Sequence, residues 1–231
     1  KIIHINRDTP STVNMLPENF KRDYSKQWQT EGICGDVFVD FETMSDIFSG
    51  FNNLPYTGNV VKPEIFMIGV YFKEGETWKY KSYILNKLDI AVEKEQMKDF
   101  ANFVEGKNVY YWYAEKMFWD RNIKKHPELQ NKKLNFIDLC KVFKSEEIVL
   151  KDCFNFGLKS IAKSMYAHGM ISTHIESECS NGMMAMIKAW NCYNSCKNPE
   201  KHPIMKDIEK YNEFDCKVLF DILNYLRSRI N

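Results

Sequence analysis

The hydrophobic pattern of the chain changes character along its length, from strand-like runs in the first half to helical stripes in the last third. Asp36-Val-Phe-Val-Asp-Phe-Glu42 is a β-branched, aromatic run with apolar residues on both faces, which predicts a buried central strand. Ile65 to Phe72 and Trp78 to Leu85 read as two further strands around the turn Lys73-Glu-Gly-Glu76, so the first three strands form an antiparallel meander. Asp89 to Val104 has the helical period, with Ile90, Met97, Phe100, Ala101 and Val104 on one stripe and Gly106 as its stop. Asn108 to Tyr113 follows as a strand, Lys116 to His126 as a helix stopped by Pro127, and Leu134 to Leu139 as another strand. Past Phe156 the pattern turns helical, over Leu158 to Met165, Met183 to Tyr193 and Ile204 to Ile230. Strands first and helices last predict an α/β or α+β sandwich around one mixed sheet. Residues 1–31, with Pro10, Pro17 and mixed charge but no sustained period, predict a leader or linker packed loosely ahead of a domain spanning 32–231. Residues 46–63 carry Gly50, Pro55, Gly58 and Pro63 and predict a loop longer than ordinary connections.

Composition narrows the class. The 231 residues, 44% hydrophobic and 27% charged, are enough for one compact unit with a substantial core. A net charge of +1 removes any whole-chain argument for a strongly cationic nucleic-acid coat and leaves only local basic patches. Seven cysteines scattered along the chain argue against a disulfide framework, and no apolar run approaches a membrane span. The expectation is a soluble intracellular protein, cytoplasmic or nuclear. The missing initiator Met predicts a processed chain or a domain excised from a larger polypeptide.

The candidate chemistry lies in the carboxylates. Asp40 and Glu42 are separated by one residue in a strand, so both point to the face opposite Phe41. Two adjacent buried anions are costly and call for a cation, either a basic side chain or a divalent metal. In the last helix Ile208, Tyr211, Asp215, Val218, Leu219, Ile222 and Leu226 fall on one stripe, which sets Asp215 within an apolar face and Tyr211 one turn before it. Glu115 stands just past a strand at the start of a helix, whereas Asp120 is turned away from it and suits a solvated face. Inward acids from separate elements make an all-oxygen site that suits hard Mg²⁺ or Mn²⁺, commonly as two ions that activate water against a phosphodiester.

With Val39-Asp-Phe-Glu-Thr43, Trp112-Tyr-Ala-Glu115 and Tyr211-Asn-Glu-Phe-Asp-Cys216 as three motifs, the sequence resembles the RNase H-like 3′–5′ exonucleases of the DEDD type, and among them the YprB-like group found beside RecB-type nucleases. Phe156-Gly-Leu-Lys-Ser-Ile-Ala162 and Asn181-Gly-Met-Met-Ala185 resemble that group's spacers, and the likeness covers roughly residues 34–229. The resemblance implies a mixed five-stranded sheet, antiparallel in its first three strands and flanked by helices. It also implies two metals held by Asp40, Glu42, Glu115 and Asp215, with Tyr211 positioning the attacking water. The second motif usually supplies an Asp; Glu115 follows the YprB-like pattern, and its extra methylene leaves rate and metal preference open. Lys210 stands where a related subclass has His, which disfavours that subclass.

Weaker signals surround these. Lys159 and Lys163 share a helix face that the resemblance places beside a nucleic-acid groove, and Phe48, Phe51 and Tyr56 in the long loop are candidates to stack on unpaired bases. The basic cluster Lys124-Lys-His126 with Lys132-Lys133 suits phosphates or a solvated helix end equally. Cys192 and Cys196 share a helix face, with Cys179 and His202 nearby, but the irregular spacing favours free thiols over zinc. The expected function is a metal-dependent 3′–5′ exonuclease releasing nucleoside 5′-monophosphates from single-stranded nucleic acid. The alternatives are an idle RNase H-like module that binds nucleic acid or a partner within a larger repair or replication polypeptide, and an endonuclease using the same metal site.

Overall fold

The structure is a computed structural model that describes residues 1–44, 63–174 and 181–231. In chain order its elements are α1 (Ile2–Arg7), β1 (Met15–Leu16), β2 (Asp36–Thr43), β3 (Ile65–Glu74), β4 (Thr77–Ile84), α2 (Ile90–Val104), β5 (Asn108–Tyr111), α3 (Glu115–Ile123), β6 (Asn135–Asp138), α4 (Leu139–Ser145), β7 (Val149–Leu150), α5 (Leu158–Ala167), α6 (Gly182–Ser195) and α7 (Pro203–Ser228). Five strands make one mixed sheet in the order β4-β3-β2-β5-β6. The β2-β3 and β3-β4 pairs are antiparallel, and β2-β5 and β5-β6 are parallel. This is the expected mixed sheet with its antiparallel first three strands.

Local chemistry explains the joints. Glu74 pairs with Thr77, leaving a two-residue hairpin loop whose first residue, Gly75, takes φ +60° as such tight turns require. Asp89 caps α2 by accepting the amides of Ala91 and Val92. Asp138 caps α4 by accepting those of Cys140 and Lys141, so β6 runs directly into a helix. Pro203 occupies the first turn of α7, where its missing N–H costs nothing.

β2 sorts its side chains between the two layers. Val37, Val39 and Phe41 pack with Ile68, Val70, Val109 and the α2 residues Met97, Phe100 and Val104 on one face. Phe38 packs with Tyr71, Tyr110 and the α7 residues Val218, Leu219 and Ile222 on the other. Helix α7 therefore lies along the face of β2 that carries Asp36, Asp40 and Glu42.

Residues 1–31, expected to lie loosely, are built into the body. Ile5, Met15, Phe20 and Trp28 are buried, β1 pairs with β7, and Phe20 bridges to Ile230 just past α7. Their anchors are single residues in irregular backbone, which carry no period for a sequence pattern to show. The short helix α4 escaped for a similar reason: it is only seven residues long and begins directly after the last residue of β6, which caps it. Among the described residues, no helix is long and apolar enough to cross a membrane.

Candidate active site

Asp40 and Glu42 lie toward the C-terminal end of β2, on the α7 side of the sheet, with Phe41 turned to the opposite core. Glu115 is the first residue of α3, just beyond the neighbouring parallel strand β5. Asp215 sits halfway along α7, on its buried stripe. Glu42, Glu115 and Asp215 are each no more than 6% exposed, and Asp40 keeps an open side, so the site meets solvent there.

Electrostatics shows that the four acids share one space. Burial first, and then the charges of Glu42 and Asp215, push the Asp40 carboxyl well above the usual carboxylate range. Burial followed by the Asp215 charge raises Glu42 to about 8. Burial raises Asp215 to about 6 against the opposing pull of Lys159 and a hydrogen bond from Tyr211. Glu115 is raised by burial and then by Asp40. Asp40 is thus the acid that faces the other three.

The same strand supplies a comparison. Asp36 shares the face of Asp40 and Glu42 but is fully partnered: Arg227 Nη1 donates to its Oδ2 at 2.7 Å, and Gly32 N–H and Asn108 Nδ2 donate to Oδ1. At the other end, Glu42 Oε1, Glu115 Oε2 and Asp215 Oδ1 are buried with no hydrogen-bond partner among the described residues. Buried polar groups normally find partners, so three orphaned carboxylate oxygens, on three elements around Asp40, fit a cation. Hard oxygen donors without thiolate or imidazole fit Mg²⁺ or Mn²⁺.

Two groups hold this arrangement. Asn212 is fully buried, and its Nδ2 donates to Asp40 Oδ2 at 2.7 Å and to the Asp40 carbonyl at 3.1 Å, while its Oδ1 accepts from Tyr80 at 2.9 Å. The amide fits because Gly69, the β3 residue paired with Asp40, has no side chain: a Cβ there would stand 1.6 Å from Asn212 Oδ1. Sequence reading passed over Asn212, although it falls four residues after Ile208 and four before Cys216, on the buried stripe of α7. The second group is the Lys159–Tyr211 pair. The Lys159 ammonium donates to the Tyr211 hydroxyl at 2.6 Å and lies 3.9 Å from the ring centre. Its charge opposes the raised affinity of Asp40, Glu42 and Asp215 for protons.

The remaining candidates are more dispersed. Lys163, one turn beyond Lys159 on α5, is exposed. Phe48, Phe51 and Tyr56 lie outside the described residues. Asp120 is exposed and pairs with Lys116, in keeping with a solvated face. Tyr113, which sequence reading treated only as a strand end, is 69% exposed at φ +79°, its amide held by Asp138 Oδ1 at 3.1 Å. A non-glycine residue in that backbone region is uncommon, and here it sets an aromatic ring at the surface two residues before Glu115.

A family model described as the RNase_H superfamily matches residues 58–227, a span that includes Glu115, Tyr211 and Asp215 and begins after Asp40 and Glu42. No curated protein and no solved structure matches the chain.

Proposed function

The chain belongs to the RNase H superfamily, and from that premise we propose that it is a metal-dependent nuclease whose site is formed by Asp40, Glu42, Glu115 and Asp215. The observation that carries this reading is the trio of buried, unpartnered carboxylate oxygens on Glu42, Glu115 and Asp215. Two Mg²⁺ or Mn²⁺ ions in such a site supply polarisation of the attacking water and neutralisation of charge on the leaving oxygen. The chain's own groups orient the acids for that task. Asn212 fixes the rotamer of Asp40, and the Tyr211 hydroxyl, clamped by Lys159, holds Asp215 through its hydrogen bond. Tyr211 is accordingly assigned to positioning, of the acid and of a water near it.

The finer assignment is a DEDD-type 3′–5′ exonuclease of the YprB-like group, releasing nucleoside 5′-monophosphates from single-stranded DNA or RNA. It rests on the three-motif spacing and on Tyr211 four residues before Asp215. Exposed Tyr113 offers a face on which an unpaired base can stack, and Lys159 and Lys163 offer positive charge to the backbone. The domain assignment, 32–231 as the nuclease unit with residues 1–31 packed into the same body, is part of the same proposal.

The test is cleavage of 5′-labelled linear and of circular single-stranded DNA and RNA with Mg²⁺, Mn²⁺ or EDTA. A metal-dependent ladder that shortens from the 3′ end, with circles left intact, is expected. Linearised circles would replace the exonuclease with an endonuclease. Binding without turnover in either metal would overturn the proposal in favour of an idle binding module.

A further inference from the structure

We infer that Cys192, Cys196 and His202 form a second, structural metal site that takes zinc and ties the end of α6 to the start of α7. It is independent of the carboxylate cluster in position and chemistry. Cys192 lies in the last turn of α6, Cys196 caps that helix, and His202 caps α7 across a short turn of Pro199–Lys201. One sulfur from each cysteine and a ring nitrogen of His202 all lie within 4.8 Å of one another. Tetrahedral zinc, with Zn–S about 2.3 Å and Zn–N about 2.0–2.1 Å, needs its ligands roughly 3.6–3.8 Å apart, which side-chain torsions alone can reach from that starting separation.

Burial fits the assignment. Cys192 is 1% exposed, while Cys196 and His202 keep an open side through which an ion enters. His202 Nδ1 accepts the Ile204 amide at 3.2 Å, and because neutral imidazole has a single free lone pair, zinc on this ring displaces that cap bond. A second observation points into the same turn. Glu200, between Cys196 and His202, has a buried Oε2 with no hydrogen-bond partner among the described residues. Its charge reaches Cys192. A cation bound by the two cysteines as thiolates, with their protons released, offers Glu200 a positive partner, directly as the fourth ligand or through a bound water.

Two soft sulfurs and an imidazole select zinc over the magnesium or manganese suited to the acid cluster. The site lies nine residues before Tyr211 and thirteen before Asp215 on one continuous helix, so closing the α6–α7 turn fixes the placement of α7 on the sheet.

The experiment is metal analysis of the full chain, purified under reducing conditions, loaded with zinc and desalted, and in parallel loaded with Co²⁺ for its absorption spectrum. Expected are a single zinc retained per chain and a thiolate-to-cobalt charge-transfer band in the near ultraviolet. Cys192→Ser with Cys196→Ser should reduce retained zinc to background, and Asp215→Asn, which alters only the acid cluster, should leave it unchanged. The cobalt spectrum is read on the unaltered protein, so the inference stays testable even where the double serine variant fails to fold. Absence of both zinc and the cobalt band would overturn it, as would zinc retained in the double serine variant or lost in Asp215→Asn. Nuclease activity plays no part in these readouts, so failure of the proposed catalytic function would leave the result standing.

Discussion

Burial raises Glu42 to about 8 and Asp215 to about 6, from the 4.5 and 3.8 of the free side chains. A raised acid binds more protons when folded than when unfolded, so its contribution to stability is present below the unfolded value and is lost as pH rises through the folded one. The metal-free fold therefore weakens between about pH 4 and pH 8. For Asp215 a rise of about two units corresponds to roughly 2–3 kcal/mol. Asp215→Asn keeps an acceptor for Tyr211 while removing the charge, so in EDTA its unfolding midpoint should overtake that of the wild type as pH rises from about 4 to 7. Parallel curves across that range would contradict the role of Asp215 as an uncompensated anion. A second prediction concerns the slot that holds Asp40. Asn212→Ala removes two hydrogen bonds from Asp40, and Gly69→Ala evicts the same amide by collision. Each should cost about 1–3 kcal/mol and depress metal-dependent cleavage. Combined, they should cost less than their sum, because Asn212→Ala removes the closest atom the new methyl would strike and frees Tyr80, the next, to give way. Fully additive losses in denaturant unfolding would show that Gly69 matters for some other reason.

Elements were legible in proportion to their length and regularity. β2, β3, β4 and α2 carry eight or more residues of clear pattern, and their sequence-read bounds lie within two residues of those in the structure. The acids were legible because alternation in β2 and the 3.6-residue period in α7 assign a side chain to a face before any coordinates exist. Asn212 and Gly69 were not, since one is a polar residue beside a more conspicuous Tyr and the other matters only through the strand pairing that sets it opposite Asp40. The sequence shows Cys192 and Cys196 on one helix face but favours free thiols there, because His202 comes within reach of the pair only after the α6–α7 turn closes. Helix α7 is held at its far end by Arg227, which donates to Asp36, to the carbonyls of Trp28 and Thr30 and to the Tyr110 hydroxyl. Removing that guanidinium leaves Asp36 buried without its charge partner. Arg227→Ala should destabilise the protein by about 3 kcal/mol in chemical denaturation. A loss under about 1 kcal/mol would mean that the pair behaves as an ordinary surface ion pair.

At the scale of the whole molecule, one sheet face does two jobs. It builds a core between β2 and α7, and at the C-terminal end of β2 it brings acids from three elements together with too few partners. Such an arrangement is costly to fold and becomes favourable when a divalent cation enters. Ligand binding to the folded state alone raises stability by mass action, about 2.7 kcal/mol at a hundredfold excess over Kd. The most direct measurement is a Mn²⁺ titration by calorimetry alongside single-stranded cleavage rates, on the wild type, Asp40→Asn and Asp215→Asn. The account predicts that metal binding and cleavage saturate together in the wild type and are both lost in the two variants. Cleavage that persists at the wild-type rate in either variant, or Mn²⁺ binding indifferent to both substitutions, would contradict it.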